Sequence, residues 1–107
     1  MTAMRSQNAD RSANSFDALL LSQARLGIMA ALLSRATATF TDLKSLLGLT
    51  QGNLGIHLRK LEDGGYVSVS KEFVDRKPRT TCKVTAKGRK AFLHHVTQLE
   101  EIAKKLK

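Results

Sequence analysis

A chain of 107 residues with 42% apolar composition can build one compact core and is too short for two, so it reads as a single domain. Eighteen Lys and Arg against nine Asp and Glu leave a formal net charge of +9, which favours a polyanionic partner and leaves nucleic acid and an anionic membrane surface both open. The lone Cys82 excludes an intramolecular disulfide framework, and the chain shows neither the apolar core of a signal peptide nor a run long enough to span a membrane, so a cytoplasmic setting is expected.

Residues 1–14 are polar, lack apolar periodicity and read as a flexible tail, with Arg5 and Arg11 as its only cations. From Ser15 to Arg35 the sequence predicts a helix, capped by Asn14 or Ser15, with a break near Ser22 and Gln23. Phe16, Leu19, Leu20, Leu21, Leu26, Ile28, Met29, Leu32 and Leu33 do not keep to one stripe, and a helix apolar nearly all round is buried on more than one side. One side faces the core. The other faces either a second subunit, through Phe16, Leu19 and Leu20, or more of the same chain.

Ala36 to Thr39 reads as a brief extended piece. Thr41 to Gly48 then makes a second short helix, capped by Thr41, stopped by Gly48 and buried along Leu43, Leu46 and Leu47. The short link through Leu49 to a third helix over 51–63, with Thr50 as its cap and Gly64-Gly65 as its stop, is the pattern of a helix-turn-helix.

Leu54, Leu58 and Leu61 recur at i, i+4 and i+7, which turns one face of that third helix inward. The opposite face carries Gly52, Asn53, Ile56, Arg59, Lys60 and Asp63, with Gln51 and His57 at its flanks. Two interior glycines cost a helix about 1 kcal/mol each relative to alanine. Close approach of bare backbone to a phosphate is one reason to keep them, and tolerated glycines in an ordinary amphipathic helix are the other. On a nucleic acid, the Gln51 and Asn53 amides suit adenine and Ile56 suits a thymine methyl. His57 suits a phosphate or guanine, and Thr50, Arg59 and Lys60 suit phosphates. Asn53 completing the cap and His57 edging the core are the structural alternatives.

Tyr66 to Phe73 alternates with period two and predicts a strand, with Val67, Val69 and the stem of Lys71 on one face. Val74 to Arg79 reads as a turn loaded with Arg76, Lys77 and Arg79, and Thr80 to Val84 as the returning strand, giving a hairpin with a basic tip. Such a tip can follow the DNA backbone into the minor groove. Thr85 caps a last helix from Ala86 to about Lys105, with Lys87, Arg89 and Lys90 in its first two turns. Farther along, Phe92, Val96, Leu99, Ala103 and Leu106 are spaced 4, 3, 4 and 3, a heptad seam that suits a dimer interface.

Arg25-Leu26-Gly27-Ile28-Met29, Phe40-Thr41-Asp42-Leu43-Lys44, Leu47 to Leu54, His57 to Glu62, Gly65-Tyr66-Val67 and Arg76 to Thr81 followed by Val84 to Arg89 together resemble the small winged-helix transcriptional regulators related to the MarR and ArsR families. The resemblance implies an α+β, mostly helical winged helix-turn-helix, 15–107, with terminal dimerisation helices. It also implies a homodimer that binds double-stranded DNA, with 51–63 as recognition helix and 66–84 as wing. The chain departs from metal-sensing relatives: Cys82 stands alone, and His94 and His95 point about 100° apart on a helix, so only a cross-subunit metal site stays open. It is also too short for much of the aromatic-ligand pocket of MarR-type proteins, so no effector and no cofactor are assigned. No nucleophile elbow, phosphate loop or acid–base pair marks an enzyme. An architectural DNA-coating protein of low sequence preference and a protein-interaction winged helix remain as alternatives to a sequence-specific regulator.

Overall fold

A computed structural model of the chain describes residues 16–106. The tail over 1–14, with Arg5 and Arg11, and the expected caps Asn14 and Ser15 lie outside them. Asp17 opens the described part: its carboxylate accepts from the Leu19 amide at 3.0 Å and caps a single 3-10 turn, Ala18–Leu20. Ser22 then caps helix α1, Gln23–Arg35, by accepting from the Arg25 amide at 3.2 Å. The break expected near Ser22 and Gln23 is therefore present, because Ser22 starts a helix of its own.

Strand β1, Thr37–Thr39, follows, and helix α2 spans Phe40–Leu47. Its cap is Thr39, not Thr41. Thr39 and Asp42 form a reciprocal capping box, which moves the start of the helix forward. Gly48, left-handed at φ 65°, closes α2, and Thr50 caps helix α3, Gln51–Asp63. Gly65, at φ 82°, turns the chain into strand β2, Val67–Val74, which is hydrogen-bonded along its length to strand β3, Lys77–Val84. The sheet is antiparallel in the order β1-β3-β2, and β1 reaches only Thr81 to Lys83 of β3. Thr85 caps the last helix, α4, Ala86–Lys105, and its hydroxyl donates to the Gly65 carbonyl at 2.6 Å.

The core forms where α1, α2 and α3 meet the inner face of the sheet. Leu20, Ile28, Met29, Leu32, Leu43, Leu54, Leu58, Leu61, Tyr66, Val67 and Cys82 are buried in one cluster. Leu20, expected at a dimer interface, is 1% exposed inside it, its side chain covered by its own molecule. Leu46, expected in the buried stripe of α2, is instead 51% exposed. The Tyr66 hydroxyl donates to the Asp17 carboxylate and ties the chain's first described residues to the base of the wing. Burial, with that hydrogen bond and charge, pushes the Tyr66 phenol up to about 12. Burial also pushes the Cys82 thiol up to about 11, which leaves it protonated and unreactive near neutral pH.

Candidate nucleic-acid interface

Helix α3 is held by its leucines, so its other side is free to point outward. Leu54, Leu58 and Leu61 are buried, whereas Gln51, Gly52, Asn53, Ile56, Arg59 and Lys60 are exposed. The Thr50 hydroxyl accepts from the Asn53 amide N–H at 3.1 Å and secures the first turn. Asn53's side-chain amide takes no part in that cap and makes no hydrogen bond among the described residues, which leaves it free to meet a partner. Apart from the backbone of α3 itself and the adjacent residues, no atom of the described residues lies within 4 Å of the place a Cβ would occupy at Gly52 or Gly55. Packing within the described residues therefore does not explain either glycine.

His57 is in a different situation. Its Nδ1 accepts from Arg25 Nη1 at 3.1 Å, so in the neutral ring the proton sits on Nε2. Arg25 in turn donates through Nε to the Leu19 carbonyl at 2.7 Å. Burial, then the positive charges of Arg25 and Lys60, hold the imidazole below its usual pKa and keep it neutral. His57 thus joins α3 to the N-terminal turn, and only its Nε2–H is left for an outside acceptor.

The wing differs from the expected long basic turn. Val74 pairs with Lys77, so the turn is two residues, Asp75 and Arg76, at φ 53° and 68°. Both values lie in the left-handed region, the geometry of a type I′ hairpin whose twist matches the flanking strands. Lys77, Pro78 and Arg79 belong to β3 instead. A proline is tolerated there because it pairs with Phe73, one step past the closing pair, where the ladder's alternation turns the nitrogen away from β2. β1 stops short of this point, so no hydrogen bond to a second strand is forgone.

Pleating sorts the wing's side chains. Val67, Val69, Lys71 and Phe73 share one face with Pro78, Thr80, Cys82 and Val84. Lys77 and Arg79 lie on the other, with Glu72 directly opposite Arg79. Lys71, considered from sequence only for its stem, lines a groove of about 290 Å³ between the wing and α3, together with Gln51, Gly55, Arg59 and Thr80. The period-two pattern already placed Lys71 on that face; what it lacked was the position of α3.

Of the residues assigned to an interface between copies, Phe16 packs edge-on against the buried His95, with ring centroids 6.0 Å apart. Leu19 and Phe92 pack partly on the core, and Val96 is half-buried. From Leu99 to Leu106 every residue of α4 is exposed, including Leu99, Ile102, Ala103 and Leu106. Lys87 lies over the Tyr66 ring at 5.8 Å, so this cation of the first turn of α4 has a partner within the chain. Among the described residues no three His, Cys, Asp or Glu side chains cluster to hold a metal ion, and no helix is long and apolar enough to cross a membrane.

A helix-turn-helix whose second helix presents a polar outer face, flanked by a two-stranded basic wing, defines a winged helix-turn-helix DNA-binding domain. The chain matches the winged helix DNA-binding domain model over residues 24–103, and it belongs to that family. It is a DNA-binding regulator of the winged-helix kind. A protein of Methanocaldococcus jannaschii, MJ0432, is 37% identical over 82 residues, covering 77% of this chain and 89% of its own. The structure of a transcriptional regulator homologue from Pyrococcus horikoshii is similar with a TM-score of 0.78 at 32% identity, covering 99% of this chain and 98% of its own. The Staphylococcus aureus MepR–DNA complex shares the fold, with a TM-score of 0.69 at 17% identity, covering 97% of this chain and 82% of its own.

Proposed function

We propose that the protein acts as a homodimer that lays α3 in the major groove of duplex DNA and the wing along the backbone toward the adjacent minor groove. The observation that carries this reading is the outer face of α3, whose two glycines leave bare backbone beside the exposed Gln51 and Asn53. Bare backbone near a helix N-terminus lets its N–H groups and positive dipole end approach a phosphate. The amides then read base edges, Ile56 meets a thymine methyl, and Thr50, Arg59 and Lys60 hold the backbone.

Arg76 supports the assignment of the wing. A type I′ turn after Asp75 prefers glycine, yet an arginine is held there at φ 68°. An unfavoured backbone conformation that keeps a cation at the tip is understandable when the cation meets phosphate. Arg79 and Lys77, on the outer face, extend the positive surface along the same strand.

The homodimer rests on α4. Its last two turns are exposed on all sides and hold Leu99, Ile102 and Leu106 in water, apolar surface that a second copy would cover. Leu99, Ile102 and Leu106 are spaced 3 and 4, which lines them up as an apolar row on one side of the exposed end. The MepR structure, a complex with DNA, supports duplex DNA as the ligand.

Selection of duplexes from a random pool, followed by competition of a selected duplex against random DNA, tests the proposal. A sequence-specific regulator prefers the selected duplex by orders of magnitude. Equal competition assigns the architectural reading, and absence of any duplex binding at low salt overturns DNA recognition altogether.

A further inference from the structure

Phe73 has no role in the fold or in the contacts proposed so far. Pleating places it in line with Val67, Val69 and Lys71, the face that packs onto the core, yet it is 77% exposed. It stands about 13 Å beyond Val69 along the strand, at about 3.3 Å per residue, past the reach of α3. β1 has already ended, so the sheet is here a bare two-stranded ribbon. The residue across from Phe73 is Pro78, also exposed, and its small ring leaves most of the phenyl surface in water. The rigid two-residue turn fixes this apolar pair in place.

Cations surround it. Arg76 sits at the turn and Lys71 on the same face, with Lys77 and Arg79 on the reverse; against these four stand Glu72, opposite Arg79, and Asp75 in the turn. An aromatic on the cationic tip of a narrow ribbon matches one kind of surface above others: a groove walled by phosphates and floored by base edges. Apolar side chains inserted from the minor groove partly unstack a base step, and pyrimidine–purine steps yield most easily.

We propose that Phe73, backed by Pro78, is an apolar wedge that enters the minor groove next to the major-groove segment read by α3 and loosens one base step there. This rests on the DNA-binding reading above and adds a second source of sequence preference, through deformability of the DNA at a position outside the reach of α3. It also divides the wing's work: Arg76, Lys77 and Arg79 contact phosphates, while Phe73 contacts the bases' apolar surface.

The test uses the full chain and a duplex recovered from the random pool, with 2-aminopurine placed at successive positions flanking the major-groove segment. The wild-type protein should raise the fluorescence at one step in each half-site. Phe73→Ala should abolish that rise and weaken binding about tenfold, while Phe73→Leu, still apolar, keeps most of both. Because Phe73 carries no charge, the salt dependence of Phe73→Ala should match the wild type, unlike that of Arg76→Ala. Thermal melting of the free protein should not change, since the side chain is outside the core.

Wild-type affinity and fluorescence in Phe73→Ala would overturn the wedge. So would an altered oligomeric state of that variant without DNA, which would assign Phe73 to a protein contact. Failure of the wild type to bind duplex at all sinks the DNA reading itself, an outcome separable from a wild type that binds without loosening a step.

Discussion

Arg25 holds His57 with a hydrogen bond of 3.1 Å and, through its Nε, holds the Leu19 carbonyl at 2.7 Å, so one guanidinium joins the N-terminal turn to the outward helix α3. That bond needs His57 neutral, because a protonated Nδ1 no longer accepts and the ring then faces two cations. The unfolded chain protonates His57 near its ordinary value, whereas the folded chain resists until lower pH. Below that ordinary value the unfolded state binds more protons than the folded one, so stability is full above pH about 6.5 and is lost as the pH falls through the lowered value. Denaturant titrations between pH about 7.5 and 5 should show this decline. His57→Gln should flatten it, and an unchanged decline in that variant would remove His57 as its source.

Gly52→Ala and Gly55→Ala separate stability from function. Apart from α3 itself, a Cβ at either position meets nothing of the described residues within 4 Å, so each change should stabilise the free protein by about 1 kcal/mol through helix propensity. Each should also weaken binding to a selected duplex, because the methyl group stands where phosphate or base edge approaches. Thermal melting and fluorescence anisotropy measure the two effects, and tighter binding by both variants would contradict the close approach.

The wing turn permits a similar contrast. Arg76→Gly relieves a left-handed arginine and should stabilise the fold by about 1 kcal/mol, while removing one cation per subunit. If two subunits together neutralise about eight phosphates, the wild-type slope of log K against log salt is about −7, and the variant's slope should be shallower by about one for each phosphate that Arg76 no longer neutralises. A salt titration from low to moderate ionic strength decides this. Gln51→Ala should behave in the opposite sense, relaxing base preference by about 1–3 kcal/mol at its position and leaving the slope alone.

The exposed end of α4 tests assembly. Leu99 is 46% exposed, so Leu99→Lys leaves the core of the single chain intact and should melt close to the wild type if no partner covers it. Where two copies meet through that seam, the same change places like charges against each other. Sedimentation should then show a shift from dimer to monomer, accompanied by weaker DNA binding because the two half-sites are no longer linked.

Gly88 marks the other end of α4. A Cβ there runs into the Tyr66 carbonyl, which is backbone and cannot swing aside. Gly88→Ala should therefore destabilise the protein by about 1–3 kcal/mol or more and lift α4 from the base of the wing. Chemical denaturation checks it, and a stability within about 0.5 kcal/mol of wild type would mean that α4 docks less tightly on Tyr66 than so close an approach requires.

The leucine period, Thr50 and the Gly64-Gly65 stop are enough to place α3 at Gln51–Asp63, because cap, stripe and stop are local signals that all agree. The cap of α2 lies two residues before the expected Thr41, since Thr39 and Thr41 are both good caps and only the reciprocal bond with Asp42 distinguishes them. The two-residue turn of the wing is hidden for a related reason. Asp75-Arg76 lacks the glycine that usually marks a type I′ hairpin, and Pro78 argues against a strand unless its partner side is known to be open. Leu20 and Phe16 cannot be divided between core and surface from sequence, as both lie in a segment apolar on every side.

Sequence alone determined the order of helices and strands, the outward polar face of α3 and the positive charge of the wing, because each depends on residues within a turn or a strand of one another. Tertiary structure decided which cation faces which side of the wing, that Arg25 engages His57 across 32 positions, that Gly88 lies against Tyr66, and that Phe73 stands uncovered at the tip. Those relationships depend on where separate elements dock, and docking is settled by how leucines buried in α1, α2 and α3 close over one sheet, a property of the whole core and of no single stretch.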